Sequence, residues 1–184
     1  MLAACRKDCL TTLAVLSACL LASVPALGDT PPDRFSIGRA ASAADIARWD
    51  IDIGPDGAGL PAGGATARQG EPVYTEKCAG CHGVDGRKGL DKLAGPLTDT
   101  RRKTVGNYWP YATTLFDYIR RAMPLAAPGS LTDTEVYGLT AYVLYLNTLV
   151  PVDQPMNAES LPEVAMPARD RFVSDDRRGG PEVR

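Results

Sequence analysis

Apolar residues recur at helical spacing in three stretches of this chain, and nowhere do strand-like segments alternate with helical ones. The best specified stretch carries Val136, Leu139, Val143 and Leu146 on one side, with Tyr142 and Tyr145 on an adjoining strip. Thr132-Asp133-Thr134-Glu135 opens it as a capping box, Leu131 and Val136 hold the staple positions, and the helix is expected to run to about Asn147. A second helix is predicted from Ala67 to Cys78. It puts Gly70, Tyr74 and Cys78 at intervals of four on one face, with Pro72 near the first turn, where its missing N–H costs little. Gly70 would let another helix come close, and Tyr142 is the aromatic expected to meet Gly70 and Tyr74. The third helix has Leu115, Ile119 and Ala122 on one side. Thr114 and Asp117 read as its start, and Met123-Pro124 ends it, because the residue before proline is pushed out of the helical region.

The remainder lacks periodicity. Ser42 with Asp45 predicts a short helix through Trp49, followed by a turn at Gly54-Pro55-Asp56-Gly57. The Gly/Pro/Ala-rich run from Gly57 to Ala67 is either a flexible connector or a strap packed over the domain that follows. Beyond Val150, Pro151, Pro155, Pro162 and Pro167 punctuate a tail that is either disordered or laid over a surface. The N-terminus reads as an export signal, with Arg6 and Lys7 ahead of an apolar run from Leu10 to Val24 that is shorter than the roughly 20 residues of a membrane span. Ala26-Leu27-Gly28 suits a peptidase, so cleavage is expected before Asp29. Leu16-Ser17-Ala18-Cys19 also resembles a lipoprotein box, although the residues after Cys19 stay apolar where a tether would turn polar. The expected organisation is therefore a signal peptide (1–28), an irregular extension (29–66), an all-α domain (67–150) and a Pro-rich tail (151–184).

Charge and cysteine usage then narrow the chemistry. The chain holds 20 basic and 22 acidic residues for a net charge of −2, and loss of Arg6, Lys7 and Asp8 with the leader makes it one unit more negative. Such a chain has no electrostatic reason to bind nucleic acid. Cys78-Ala79-Gly80-Cys81-His82 is the arrangement that attaches a c-type haem: each thiol adds across a vinyl group and the imidazole lies beneath the iron. The other cysteines, Cys5, Cys9 and Cys19, fall in the leader, and His82 is the single histidine. Zinc fails on ligand count, since a structural site takes about four, and a redox dithiol would want a βαβ context.

A lone histidine also excludes bis-His ligation within the chain, leaving Met or an open iron position. Met156 and Met166 lie in the tail, whereas Met123 sits in the Pro-flanked loop directly before the last helix and is the expected second ligand. A six-coordinate iron implies outer-sphere electron transfer by a chain with no substrate site of its own. Arg101-Arg102-Lys103 with Trp109 could hold haem propionates through Arg–carboxylate pairs and the indole N–H; the alternative is a solvated basic run beside a packing Trp.

The all-α pattern around the haem motif resembles the class I c-type cytochromes, which place a Gly eight residues and an aromatic four residues before the first haem Cys. By that resemblance Pro96, in Gly95-Pro96-Leu97, supplies the carbonyl that accepts His82 Nδ1–H. A longer likeness runs through Arg48-Trp49-Asp50-Ile51-Asp52-Ile53, Gly59-Leu60-Pro61, the segment from Thr104 through Tyr108-Trp109-Pro110-Tyr111 to Met123-Pro124, and Leu161-Pro162-Glu163-Val164-Ala165-Met166-Pro167. These residues resemble the cytochrome subunits of Sox-type sulfane dehydrogenase (SoxD) and related sulfite dehydrogenases, departing from the longer members in having one haem motif instead of two. The resemblance implies a periplasmic subunit holding one covalent haem c. It would take electrons from a molybdopterin-containing, sulfite-oxidase-like subunit and pass them to a soluble cytochrome c. The rival readings are an independent diffusing carrier, and a haem sensor or peroxidase, which would need an open iron position.

Overall fold

The computed structural model describes residues 37–99 and 101–173, so the leader, its cleavage site and Cys19 lie outside the described residues. The chain divides into two units, residues 1–42 and 43–184. Of the first, residues 37–42 are irregular and exposed. The described part of the second is all-α apart from one tiny strand pair. Its elements are α1 (Ala43–Ala47), β1 (Gly64–Ala65), α2 (Ala67–Lys77), α3 (Ala79–His82), α4 (Val105–Tyr108), α5 (Ala112–Ala122), α6 (Asp133–Leu146), β2 (Met156–Asn157) and a 3₁₀ turn at Arg169–Arg171. No helix among the described residues is long and apolar enough to cross a membrane.

Helices α2 and α6 cross with their backbones in contact. A Cβ placed on Gly70 would lie 1.9 Å from the Gly138 carbonyl oxygen, so only glycine permits the approach. One turn on, the rings of Tyr74 and Tyr142 meet at 5.0 Å between centroids. Both helices begin with capping boxes: Thr66 N donates to Gln69 Oε1 at 2.8 Å, and Thr132 N donates to Glu135 Oε2 at 2.8 Å. Glu135 also takes Lys77 Nζ at 2.7 Å, tying the end of α2 to the start of α6.

Helix α6 is buried on nearly every side from Val136 to Leu144, which is more than one apolar stripe provides for. The covering comes from the irregular segments. Phe116 of α5 packs on Tyr137 with centroids 4.5 Å apart, and Tyr137 Oη donates to the Pro61 carbonyl at 2.8 Å. The run before α2 is thus a packed strap, and its end pairs antiparallel with the tail, Gly64 opposite Asn157 and Ala65 opposite Met156. Along the tail Met156, Leu161, Met166 and Ala168 are buried, so residues 151–173 complete the core.

Helix α5 begins at Ala112, two residues earlier than expected. Asp117 does not serve its cap but accepts from Arg121 Nε at 2.7 Å one turn on, and Arg121 reaches Asp52 as well. Its end agrees with the proline rule, since Met123 is extended (φ −119°, ψ 149°).

Candidate functional site

The haem motif sits where α2 gives way to α3. Cys78 ends α2, its N–H donating to the Tyr74 carbonyl at 2.9 Å, and Ala79–His82 form the next helical turn. Spacing of three within one turn puts both thiols on one side of the backbone with His82 adjoining. Neither cysteine is in a disulfide; Cys78 is half-buried and Cys81 exposed. Burial pushes the Cys78 thiol up to about 11, the reverse of what a nucleophilic redox dithiol needs.

His82 Nδ1 lies 2.9 Å from the Asp91 carbonyl oxygen. A carbonyl can only accept, so Nδ1 carries the hydrogen and the lone pair of the neutral ring is on Nε2, the state required of a metal ligand. The expectation that Pro96 fills this place is therefore corrected. Gly89 packs against the His82 backbone, a Cβ there falling 2.3 Å from His82 Cα, and two residues on the Asp91 carbonyl reaches Nδ1. The Pro96 carbonyl instead accepts from Asn107 Nδ2 at 3.3 Å and Asp99 N at 3.1 Å.

Asn107 was not singled out by the sequence, yet its buried side chain organises the loop. Nδ2 also donates to the carbonyls of Asp99 (2.8 Å) and Arg102 (2.9 Å), and Oδ1 accepts from Thr104 N (2.8 Å). Tyr74 Oη, donating to the Gly83 carbonyl at 2.8 Å, holds the other end of the same loop. Burial raises the Tyr74 hydroxyl to about 12, so it remains a donor throughout the neutral range.

Met123 follows the last turn of α5, half-buried against the core, with its N–H on the Ile119 carbonyl at 3.1 Å. Met156 and Met166 are 0% and 4% exposed within the core cluster, where they act as packing residues. Trp109 is half-buried edge-on to Tyr118 at 5.7 Å between centroids, and its indole N–H has no hydrogen bond among the described residues. The side chains of Arg101 and Arg102 form no ion pair there either, and Lys103 Nζ sits 4.1 Å over the Tyr108 ring.

No three His, Cys, Asp or Glu side chains gather to hold a bare metal ion among the described residues. Two free thiols on one turn, an imidazole with Nε2 available and a half-buried thioether suit a haem c.

Residues 65–143 match the family model for "Cytochrome C oxidase, cbb3-type, subunit III". Over 112 residues the chain is 30% identical to thiosulfate dehydrogenase of Allochromatium vinosum, covering 59% of this chain and 38% of that protein. Over 86 residues it is 33% identical to thiosulfate dehydrogenase of Stutzerimonas stutzeri, covering 45% of this chain and 28% of that one. It thus spans well under half the length of these relatives. Among solved structures, sulfane dehydrogenase SoxCD from Paracoccus pantotrophus matches with a TM-score of 0.69 and 38% identity over 78% of this chain and 74% of that chain. With its helices, haem motif and this breadth of likeness, the chain belongs to the class I c-type cytochromes, electron-transfer proteins built on haem c, and resembles the SoxD cytochrome subunit.

Proposed function

We propose that this chain is the periplasmic electron-transfer subunit of a sulfur-compound dehydrogenase. Cys78 and Cys81 would hold one haem c covalently, and His82 and Met123 would bind its iron. The haem, when bound, supplies a one-electron ferric/ferrous couple whose potential Met ligation raises. The Asp91 carbonyl orients His82 and increases its basicity at Nε2. Met123, whose N–H is held by the last turn of α5, would supply a thioether to the iron and so keep substrates from it. Trp109 and Arg101 would be the groups that meet the propionates. Electrons arrive from a molybdopterin-containing, sulfite-oxidase-like subunit and leave to a soluble cytochrome c, after a signal peptide has directed export.

One observation carries this reading. The likeness to a SoxCD chain covers 78% of the sequence, too much to be confined to the cytochrome domain at 65–143, so strap or tail must share in it. A free diffusing carrier has no need of either. The test is co-purification from the native host with the haem in place: a molybdopterin protein is expected in the complex. Recovery of a monomer that shuttles electrons at full rate would overturn the subunit reading. Met123→Ala is expected to abolish the Met–iron charge-transfer band of the ferric spectrum and to open the ferrous protein to carbon monoxide. Carbon monoxide binding by the unaltered protein at neutral pH would remove Met123 from the site.

A further inference from the structure

Between the loop that follows the haem motif and residues 95–104 lies a cavity of about 150 Å³. Arg87, Lys92 and Arg102 reach it from different positions along the chain, against a single acid, Asp99. None of the three bases forms an ion pair among the described residues. Asp99 offsets one of these charges and leaves two in excess; its Oδ1 accepts from the backbone N–H groups of Arg101 (2.9 Å) and Arg102 (3.4 Å). Arg87 spends one N–H on the Leu146 carbonyl, at 3.3 Å, which fixes the guanidinium while its other donors stay available.

The lining also holds Thr104, 5% exposed and the N-cap of α4; its Oγ1 faces the Asn107 backbone N–H in a capping box but is too poorly aligned to form a full hydrogen bond, and it has no other protein partner. A buried hydroxyl normally finds a partner, and here the three neighbouring positive charges state what kind is missing. The rim is already built: Asn107 Nδ2 gathers the carbonyls of Pro96, Asp99 and Arg102. Gly95 covers Thr104 so closely that a Cβ would come 3.1 Å from Thr104 Cγ2. In volume the cavity matches about five waters, enough for one small anion with part of its hydration.

We propose that this cavity binds one small tetrahedral oxyanion of the sulfate or phosphate class, held by Arg87, Lys92 and Arg102 with the Thr104 hydroxyl as a further donor. Charged donors converging on a small anion form the stronger kind of hydrogen bond, and a tetrahedral ion offers an oxygen in each of their directions. The site is independent of the electron-transfer partner and stands or falls separately from it.

The experiment uses the haem-loaded protein, with sulfate and then phosphate titrated against chloride at matched ionic strength, reading melting temperature and binding heat. A saturable rise with one-site stoichiometry is expected in sulfate or phosphate alone. Thr104→Val should weaken binding about tenfold, with the cost of losing the α4 N-cap read separately as a lower melting temperature in chloride. Lys92→Ala, at an exposed position, should also weaken binding without loss of folding. The proposal is overturned if chloride gives the same response, if both variants bind as the parent does, or if the loaded protein takes up no oxyanion because a haem propionate already fills the cavity.

Discussion

The crossing of α2 and α6 and the loop at residues 83–104 both flank the haem motif, but they are held by different forces. At the crossing, backbone meets backbone at Gly70 and Gly138, aromatic rings close over the contact, and Val136, Tyr137, Leu139 and Leu144 are sealed from water. In the loop only Gly86 and Ala94 are buried between residues 83 and 99, and the backbone is shaped by Asn107, Tyr74 and turn glycines at positive φ, Gly83 (77°) and Gly86 (67°). The first region is specified by shape and the second by hydrogen-bond partners. The haem ligands are shared between the two modes: Cys78 ends the packed helix, while His82 takes its orientation from a loop carbonyl.

The sharpest way to break this contrast is at the crossing. In an ordinary helix Gly→Ala gains up to about 1 kcal/mol through propensity. At Gly70 the new methyl group would meet the Gly138 carbonyl at 1.9 Å, and no flexible side chain is there to move aside. Gly70→Ala is therefore expected to destabilise by about 3 kcal/mol or more, read from denaturant unfolding of the haem-loaded protein. A neutral or stabilising result would show that the helices slide freely and that shape is not what fixes the crossing.

Asn107→Leu comes next. It keeps the volume but strands the Thr104 N–H and three carbonyls, some of which water can reach, for an expected cost of about 2 kcal/mol. Its location is the sharper reading: amide hydrogen exchange should quicken at the Leu93 and Val105 pairing and leave the centre of α6 protected. Equal loss of protection in both regions would mean that loop and crossing form one cooperative unit.

How much of this was legible in the sequence follows the same division. Capping at Thr132, the Gly70–Tyr74–Cys78 face and the stop at Met123 are local signals, written in residues three or four apart, and each has its structural counterpart. The box Thr66-Ala67-Arg68-Gln69 is of the same kind and could have been read, since a Thr with Gln three residues later ahead of a helix is the pattern itself. Gly138, the partner of Gly70, carries no such mark, because a helix buried on all sides shows no stripe from which its crossing face can be chosen. The partner of His82 was unreadable for another reason. Every residue owns a carbonyl, so only loop geometry could select Asp91 over Pro96. The tail shows no period because Met156, Leu161 and Met166 fill separate gaps along an extended path.

The smallest expected effect concerns charge at the crossing, and it separates shape from electrostatics there. Lys77 first, and then the Thr132 backbone N–H, hold the Glu135 carboxyl at about 2, against an ordinary value near 4.5. A carboxylate whose folded value is depressed adds stability above its unfolded value and loses it as pH falls through the folded one. The contribution from Glu135 is thus complete above about pH 4.5 and fades between there and about pH 2. Lys77 and Glu135 side chains remain 30% and 26% exposed, so water screens the pair, and the loss in Glu135→Gln at pH 7 should be about 1 kcal/mol. The amide can still accept from Thr132 N, which keeps the cap while removing the ion pair. Unfolding free energy of parent and variant should therefore differ at pH 7 and converge toward pH 2. A difference that stays constant over that range would mean Glu135 acts through the cap alone, leaving the crossing to be fixed by its glycines and tyrosines without help from charge.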